Sequence, residues 1–421
     1  MSQQTERRSA PTSPGLRGPL AVIATAIPVH VALALWTDLT PDEAYYLASA
    51  RSVRIPDHPP LLPWILAASD RALSLPVELR IRTPAILTSA LLTVGVVLLV
   101  HQIERHETAG ERAGSSATLL AAVLATWLPI PMAGGFLATP DTLALLGVVA
   151  AISWAASDAP SHVRSALTAV VVALGALAKV VVVPIALLAA ALALRPGTAV
   201  GPARHRPWQR LAWLLPLALI SPWLIASLRF QIPHAFGTGD AWSVPRVAGA
   251  LLATLLASFV LWCPPVVLAG VPRLGRLPAI YPATFGLVTL LLLGSTLARA
   301  AAPEPNWWAP AALPVLVAGS IALAAASARA RRSCMALAVL PTVVALTHVL
   351  RPWLPIAPSL DPTARLHGWQ TDAPPLSAAG VGAYAAPAER CAYHAECEEI
   401  SRYINHLTAG ISSRTSPAKN R

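Results

Sequence analysis

What most constrains this chain is a series of apolar runs, each close to the length that crosses a bilayer. A helix needs roughly 20 residues to span the hydrocarbon core. Runs near 18–36, 84–100, 115–131, 140–156, 165–178, 180–194, 211–228, 247–267, 281–297, 309–327 and 335–350 approach that length. The fifth and sixth are short and read equally well as one broken pair meeting at Lys179. The expectation is an all-α polytopic integral membrane protein with eleven transmembrane helices, ten or twelve if boundaries shift. Composition agrees: of 421 residues, 55% are hydrophobic and 12% charged, about half the charged share of a soluble domain.

The net charge of +11 raises the possibility of nucleic-acid binding, but the arginines are dispersed over short loops rather than gathered on one face. Arg105 and Arg112, Arg164, the set Arg195, Arg204, Arg206 and Arg210, then Arg273 and Arg276, and Arg329, Arg331 and Arg332 fall in alternate loops. That is the distribution of cytoplasmic loops, so nucleic acid is not an expected partner. It places the N-terminus inside and the C-terminus outside. Residues 1–17 read as a disordered cytoplasmic tail without a cleavable signal, 18–350 as the transmembrane domain, and 37–83 as a long, structured first outer loop. Residues 351–421 read as an extracytoplasmic segment whose end is disordered. There Cys391 and Cys397 suggest a disulfide, or with His394 a metal clip lacking a fourth ligand.

This topology divides the acids. Glu104, Glu107, Glu111 and Asp158 mix with cytoplasmic arginines, whereas Asp42, Glu43, Asp57, Asp70, Glu78, Asp141, Asp240 and Glu304 lie outside. In "TPDE", 40–43, Thr40, Pro41 and Glu43 form a capping box. Asp42 then stands at a helix N-terminus, where it either serves the cap region or faces a substrate as a base. "PDHPPLLPW", 56–64, puts Asp57 and His58 before two prolines that stiffen the turn. "FLATPDTLALL", 136–146, repeats the cap pattern with Thr139, Pro140 and Asp141. Lys179 and Lys419 are the chain's two lysines; Lys179 either snorkels to the interface or offers a compact charge to a phosphate. "APEPNWWAP", 302–310, holds Glu304, Asn306 and Trp307 beside a span, and "LRFQIPHAF", 228–236, carries Arg229 and His234 in a further outer loop.

"DEAYYLASARSVRIPDHPPLLPW" resembles the first outer loop of bacterial membrane glycosyltransferases of the protein-mannosyltransferase and aminoarabinose-transferase kind, which share the C-type architecture. The order of "TPD", "AK" (in place of a Ser-Lys pair), "EPNWWAP" and "DPTARLHGW", 361–369, is similar as well, and the likeness runs over residues 20–370. It implies a bacterial inner-membrane enzyme that moves a sugar, with inversion, from a polyprenyl-phosphate donor to an extracytoplasmic acceptor. By the same resemblance Asp42 is the catalytic base with Glu43 beside it. Asp57 and His58 bind a divalent metal and the donor phosphate, and Lys179 neutralises that phosphate. His234 would supply a further metal ligand. Asp141, Arg229, Glu304, Asn306 and Trp307 complete the expected substrate site. The chain lacks the large soluble insertion of the mannosyltransferases and the larger C-terminal domain of the aminoarabinose enzymes. A transporter or lipid-linked-sugar flippase is the rival class, but it favours internal repeats and mid-membrane ionisable residues, and neither is evident. A non-catalytic scaffold would explain the caps but not Asp57 and His58 beside a double proline.

Overall fold

The computed structural model describes residues 16–51, 59–107, 114–157, 162–193, 214–237 and 242–356, together with 361, 363 and 366. Among these residues every regular element is helical. The chain is an all-α polytopic membrane protein. Five helices are long and apolar enough to cross a membrane, or six if a pair bent by 63° counts as one broken span. Shorter apolar helices of 10–17 residues account for several of the remaining runs, so the expected count of eleven is not reproduced by length and composition.

The order begins with α1 (Arg17–Trp36), α2 (Pro41–Arg51), α3 (Leu61–Ala72) and α4 (Val77–Glu107). The bent pair α5 (Gly114–Trp127) and α6 (Pro129–Phe136) leads into α7 (Pro140–Ala155). Next come α8 (His162–Ala178) and α9 (Val182–Ala193), with Lys179 in the break between them. A short α10 (Leu215–Leu219) precedes α11 (Ser221–Phe236), α12 (Val244–Leu261), α13 (Pro264–Leu274) and α14 (Ile280–Arg299). A single 3-10 turn (Pro305–Trp308) opens α15 (Ala309–Ala324), and α16 (Ala328–Leu350) is the last helix. Cys263 and Cys334 are buried free cysteines.

The first loop differs from expectation at its end. Residues 77–83 are the first turns of α4 rather than loop, and the reason is a buried ion pair. Arg82 and Glu43 have no solvent exposure. Arg82 Nε donates to Glu43 Oε1 at 2.8 Å and Nη2 to Glu43 Oε2 at 2.7 Å. The remaining guanidinium hydrogens reach the Ala34, Thr37 and Asp38 carbonyls and the Thr37 hydroxyl at 2.6–3.2 Å. Its Cζ lies 5.6 Å from the centre of the Phe136 ring. Glu43 completes the expected capping box: Thr40 N–H donates to Glu43 Oε2 at 2.9 Å and Glu43 N–H to Thr40 Oγ1 at 3.2 Å. It also accepts the Ala138 N–H at 2.9 Å. One side-chain pair thus joins the end of α1, the start of α2, α4 and the segment entering α7.

Two further contacts close this end of the bundle. Helices α7 and α8 cross at Gly147 and Gly175, where a Cβ on Gly175 would sit 2.8 Å from the Gly147 Cα. Small residues at such a crossing let backbones approach closely. At the end of α16, His348 Nδ1 accepts the Trp353 and Leu354 backbone N–H groups at 2.9 and 3.1 Å. Its proton therefore sits on Nε2, 3.0 Å from Asp361 Oδ2. Beyond that turn the Leu366 carbonyl accepts the Asp38 N–H at 2.9 Å, so the chain after the last helix is tied to the start of the first loop.

Burial alone would raise the Glu43 carboxyl, but Arg82 and the hydrogen bonds from Ala138 and Thr40 hold it below the ordinary carboxylate range. Its stabilisation is therefore present above that range and lost on acidification. Thermal stability in detergent should begin to fall below about pH 4.3, the ordinary glutamate value. Arg82→Met, which strands the buried carboxylate, should cost about 3–5 kcal/mol in the same melts. Arg82→Lys should recover little, because an ammonium cannot reproduce the planar fork.

Candidate functional site

At the end of the bundle held by Arg82 there is a cavity of about 830 Å³. Asp42, Tyr45 and Tyr46 enter it from α2, Thr139 and Asp141 from the start of α7, and Lys179 from the break between α8 and α9. Gln231 and His234 come from α11, Arg299 from the end of α14, and Glu304, Asn306 and Trp307 from the segment before α15. The helix termini gathered here are the parts of a membrane bundle where polar side chains are least costly.

The meeting of α7 and α8 at their glycines brings Asp141, in the first turn of α7, beside Lys179, just past α8. Lys179 Nζ donates to Asp141 Oδ1 at 2.7 Å, and Asn306 Nδ2 donates to Asp141 Oδ2 at 3.0 Å. Both carboxylate oxygens are thus engaged, by groups 38 and 165 positions away. Trp307 gathers cations. Lys179 Nζ is 5.8 Å and Arg299 Cζ 5.7 Å from its ring centre, and the His234 ring lies 5.7 Å away, tilted by 55°. Such contacts hold a cation without neutralising it. Tyr46 is 6% exposed. Burial first, then the charges of Asp42 and Asp141, pushes its phenol well above the ordinary range, so it remains a neutral donor.

Of the residues expected from sequence, Asp42, Asp141, Lys179, His234, Glu304, Asn306 and Trp307 share this one cavity. Asp42 and Glu304 are exposed within it. Glu43 does not line it. Its carboxylate is engaged by Arg82, Thr40 and Ala138. Arg229 does not line it either. The segment expected as a loop is helix α11, from which Leu228, Gln231, Ile232, His234, Ala235 and Phe236 line the cavity. Arg229 is outside that set and exposed. Asp57 and His58, and the Cys391, His394 and Cys397 set, lie outside the described residues. Tyr45, Tyr46, Gln231 and Arg299 line the cavity without having been singled out. The tyrosine pair on the capped helix was the available signal for the first two.

Among the described residues no three His, Cys, Asp or Glu side chains lie close enough together to hold a metal ion. Asp57 and His58, the residues expected to hold the divalent cation, lie outside the described residues.

Residues 57–225 match the family model for dolichyl-phosphate-mannose-protein mannosyltransferases. No curated protein matches the chain. Among solved structures, the fold matches that of ArnT from Cupriavidus metallidurans bound to undecaprenyl phosphate, with a TM-score of 0.52 and 17% identity. The match covers 80% of this chain and 65% of that one, so this chain spans less than two thirds of that protein's length. Both findings bear out the resemblance drawn from the first loop and the later motifs.

The pairing of Lys179 generates a prediction that exploits the scarcity of lysine here. Asp141→Asn removes the carboxylate 2.7 Å from the Lys179 ammonium. Acylation of Lys179 by a small anhydride should then rise on the order of fivefold, equivalent to about 1 kcal/mol. Lys419, outside the described residues, serves as the internal reference in the same mass spectra.

Proposed function

We propose that the protein transfers a sugar from a polyprenyl-phosphate carrier to an acceptor on the extracytoplasmic face of a bacterial inner membrane, with its N-terminus cytoplasmic and its C-terminus outside. The observation that carries this reading is the sharing of one cavity, at the end of a membrane bundle, by Asp42 and by Lys179 with its Trp307 support. The match of residues 57–225 to a mannosyltransferase family and the fold shared with a protein bound to undecaprenyl phosphate support it.

In this reading the polyprenyl chain lies among the helices and its phosphate stands at the Lys179 side of the cavity. The acceptor hydroxyl or phosphate approaches Asp42, which occupies the first turn of α2, where the helix dipole favours a negative charge. The acceptor oxygen attacks the anomeric carbon from the face opposite the carrier. The bond from that carbon to the phosphate oxygen breaks, its electron pair stays with the phosphate, and the acceptor proton passes to Asp42. The sugar is inverted. Preorganised charge at the leaving phosphate is the term expected to contribute most. Glu43 serves indirectly, because its bonds to Arg82 fix the turn from which Asp42 projects.

The test is release of polyprenyl phosphate from a labelled polyprenyl-phosphate sugar by purified protein in lipid, with envelope extract as the acceptor. Asp42→Asn should lower turnover by about 10²–10⁴-fold and leave the melting temperature unchanged. EDTA in the same assay tests the expected cation. Equal release by wild type and variant across several donor sugars would overturn the assignment.

A further inference from the structure

We propose that Cys263 and Cys334 form a peroxide-sensitive dithiol, which closes to a reversible disulfide between the break after α12 and helix α16. The proposal is independent of the sugar-transfer reading. Only Trp262 and Cys263 separate α12 from α13, and Cys334 stands in the second turn of α16. Both cysteines are buried. They meet across the bundle, where the Cys334 thiol donates a hydrogen bond to the Cys263 sulfur. Two sulfurs already in that contact need only a short further approach to bond.

The backbone singles out Cys263. It has φ 64 and ψ 106, a left-handed φ that a residue bearing a Cβ adopts at some cost. Such strain persists where the surroundings impose it, and it gathers at functional positions. Glycine would take this turn without strain, and alanine or valine would serve for packing, so the thiol is the feature that neither role uses. Cys263 is also the N-cap of α13, its carbonyl accepting the Val266 and Val267 N–H groups at 2.9 and 3.2 Å. A helix N-terminus favours negative charge, hence a thiolate, the form of cysteine that attacks. Cys334 follows Arg329, Arg331 and Arg332 on its own helix. In the orientation proposed above, those arginines are cytoplasmic. Thiols there are held reduced, and the disulfides that do form are transient and mostly catalytic or redox-sensing. The dithiol is the resting form.

The oxidant is hydrogen peroxide, small enough to enter where larger reagents do not. The Cys263 thiolate attacks one peroxide oxygen. The O–O bond breaks, the sulfur becomes a sulfenic acid, and the departing hydroxide takes up a proton and leaves as water. The Cys334 sulfur then attacks the sulfenic sulfur. The S–S bond forms, the S–O bond breaks, and that oxygen leaves as a second water with the Cys334 proton. Two thiols lose two electrons and the peroxide gains them. The product joins α16 to α13, which itself lies so close to α15 that a Cβ on Gly319 would sit 2.7 Å from the Val266 carbonyl oxygen.

The experiment uses the full chain in lipid nanodiscs, treated with dilute hydrogen peroxide, denatured, alkylated and digested for mass spectrometry. The Cys263 and Cys334 peptides should appear joined, two hydrogens lighter than their sum, and should separate with dithiothreitol. The oxidised protein should melt on the order of 5 °C higher, and the reductant should reverse that rise. Cys334→Ser should leave Cys263 as a sulfenic acid that dimedone traps, whereas Cys263→Ser should leave Cys334 an alkylatable thiol. The link is read on wild type, so a variant that fails to fold does not decide the matter. If both thiols are still alkylated after peroxide, the proposal is overturned. The same holds if each sulfur passes separately to sulfinic acid, or if Cys263 links instead to Cys391 or Cys397.

Discussion

A guanidinium removed entirely from water persists only where its hydrogens find acceptors and its charge finds a carboxylate. Arg82 meets both conditions within one stretch, at Ala34, Thr37, Asp38 and Glu43, and Glu43 carries the link on to Ala138. An apolar cluster of similar volume would give comparable stability, but it would not dictate direction. Here each hydrogen bond fixes a particular carbonyl or carboxylate. Asp42 precedes Glu43 by one residue, and Asp141 follows Ala138 by three, so two carboxylates of the cavity take their places from this single ion pair.

The second constraint is the crossing of α7 and α8. Because Gly147 and Gly175 let the backbones nearly touch, the start of one helix and the break after the other fall within reach of a lysine side chain. Asn306 then joins from far along the chain, and Trp307 beside it gathers Lys179, Arg299 and His234 around one ring. Lys179 and Arg299 stand at Trp307 together with the Asp141 carboxylate, and Asp42 lines the same cavity from α2.

Much of this was legible in sequence where the determinants are local. The capping box at Thr40 and Glu43, the proline and acid opening α7, and the break at Lys179 each depend on neighbours within a few positions. What was missed depends on distant partners. Residues 77–83 read as loop because Glu78, Arg80 and Arg82 depress hydropathy. The helix nevertheless runs through them, with Arg82 paired to Glu43 and Arg80 to Asp70 at 3.0 Å. The stretch around Arg229 and Pro233 read as loop for the same reason, yet helix α11 continues across it. That Glu43 is consumed in a buried pair while Asp42 faces the cavity follows from a residue 39 positions away, which no local pattern reveals. Nothing local marks Arg299; the Trp307 ring that lies against it comes eight positions later.

The bond between Asp38 and Leu366 also has a meaning in time. A ribosome delivers the start of the first loop long before the segment that ties it down, since His348, Asp361 and Leu366 all lie at the far end of the helical bundle's sequence. While the chain is still entering the membrane, Asp42 and Lys179 are already made, but the floor beneath the first loop is missing. The reactive face is therefore assembled in the order of translation and closed near its end. A chain halted before residue 361 would carry every cavity-lining side chain named here and still lack the fastening between its first loop and its last helix.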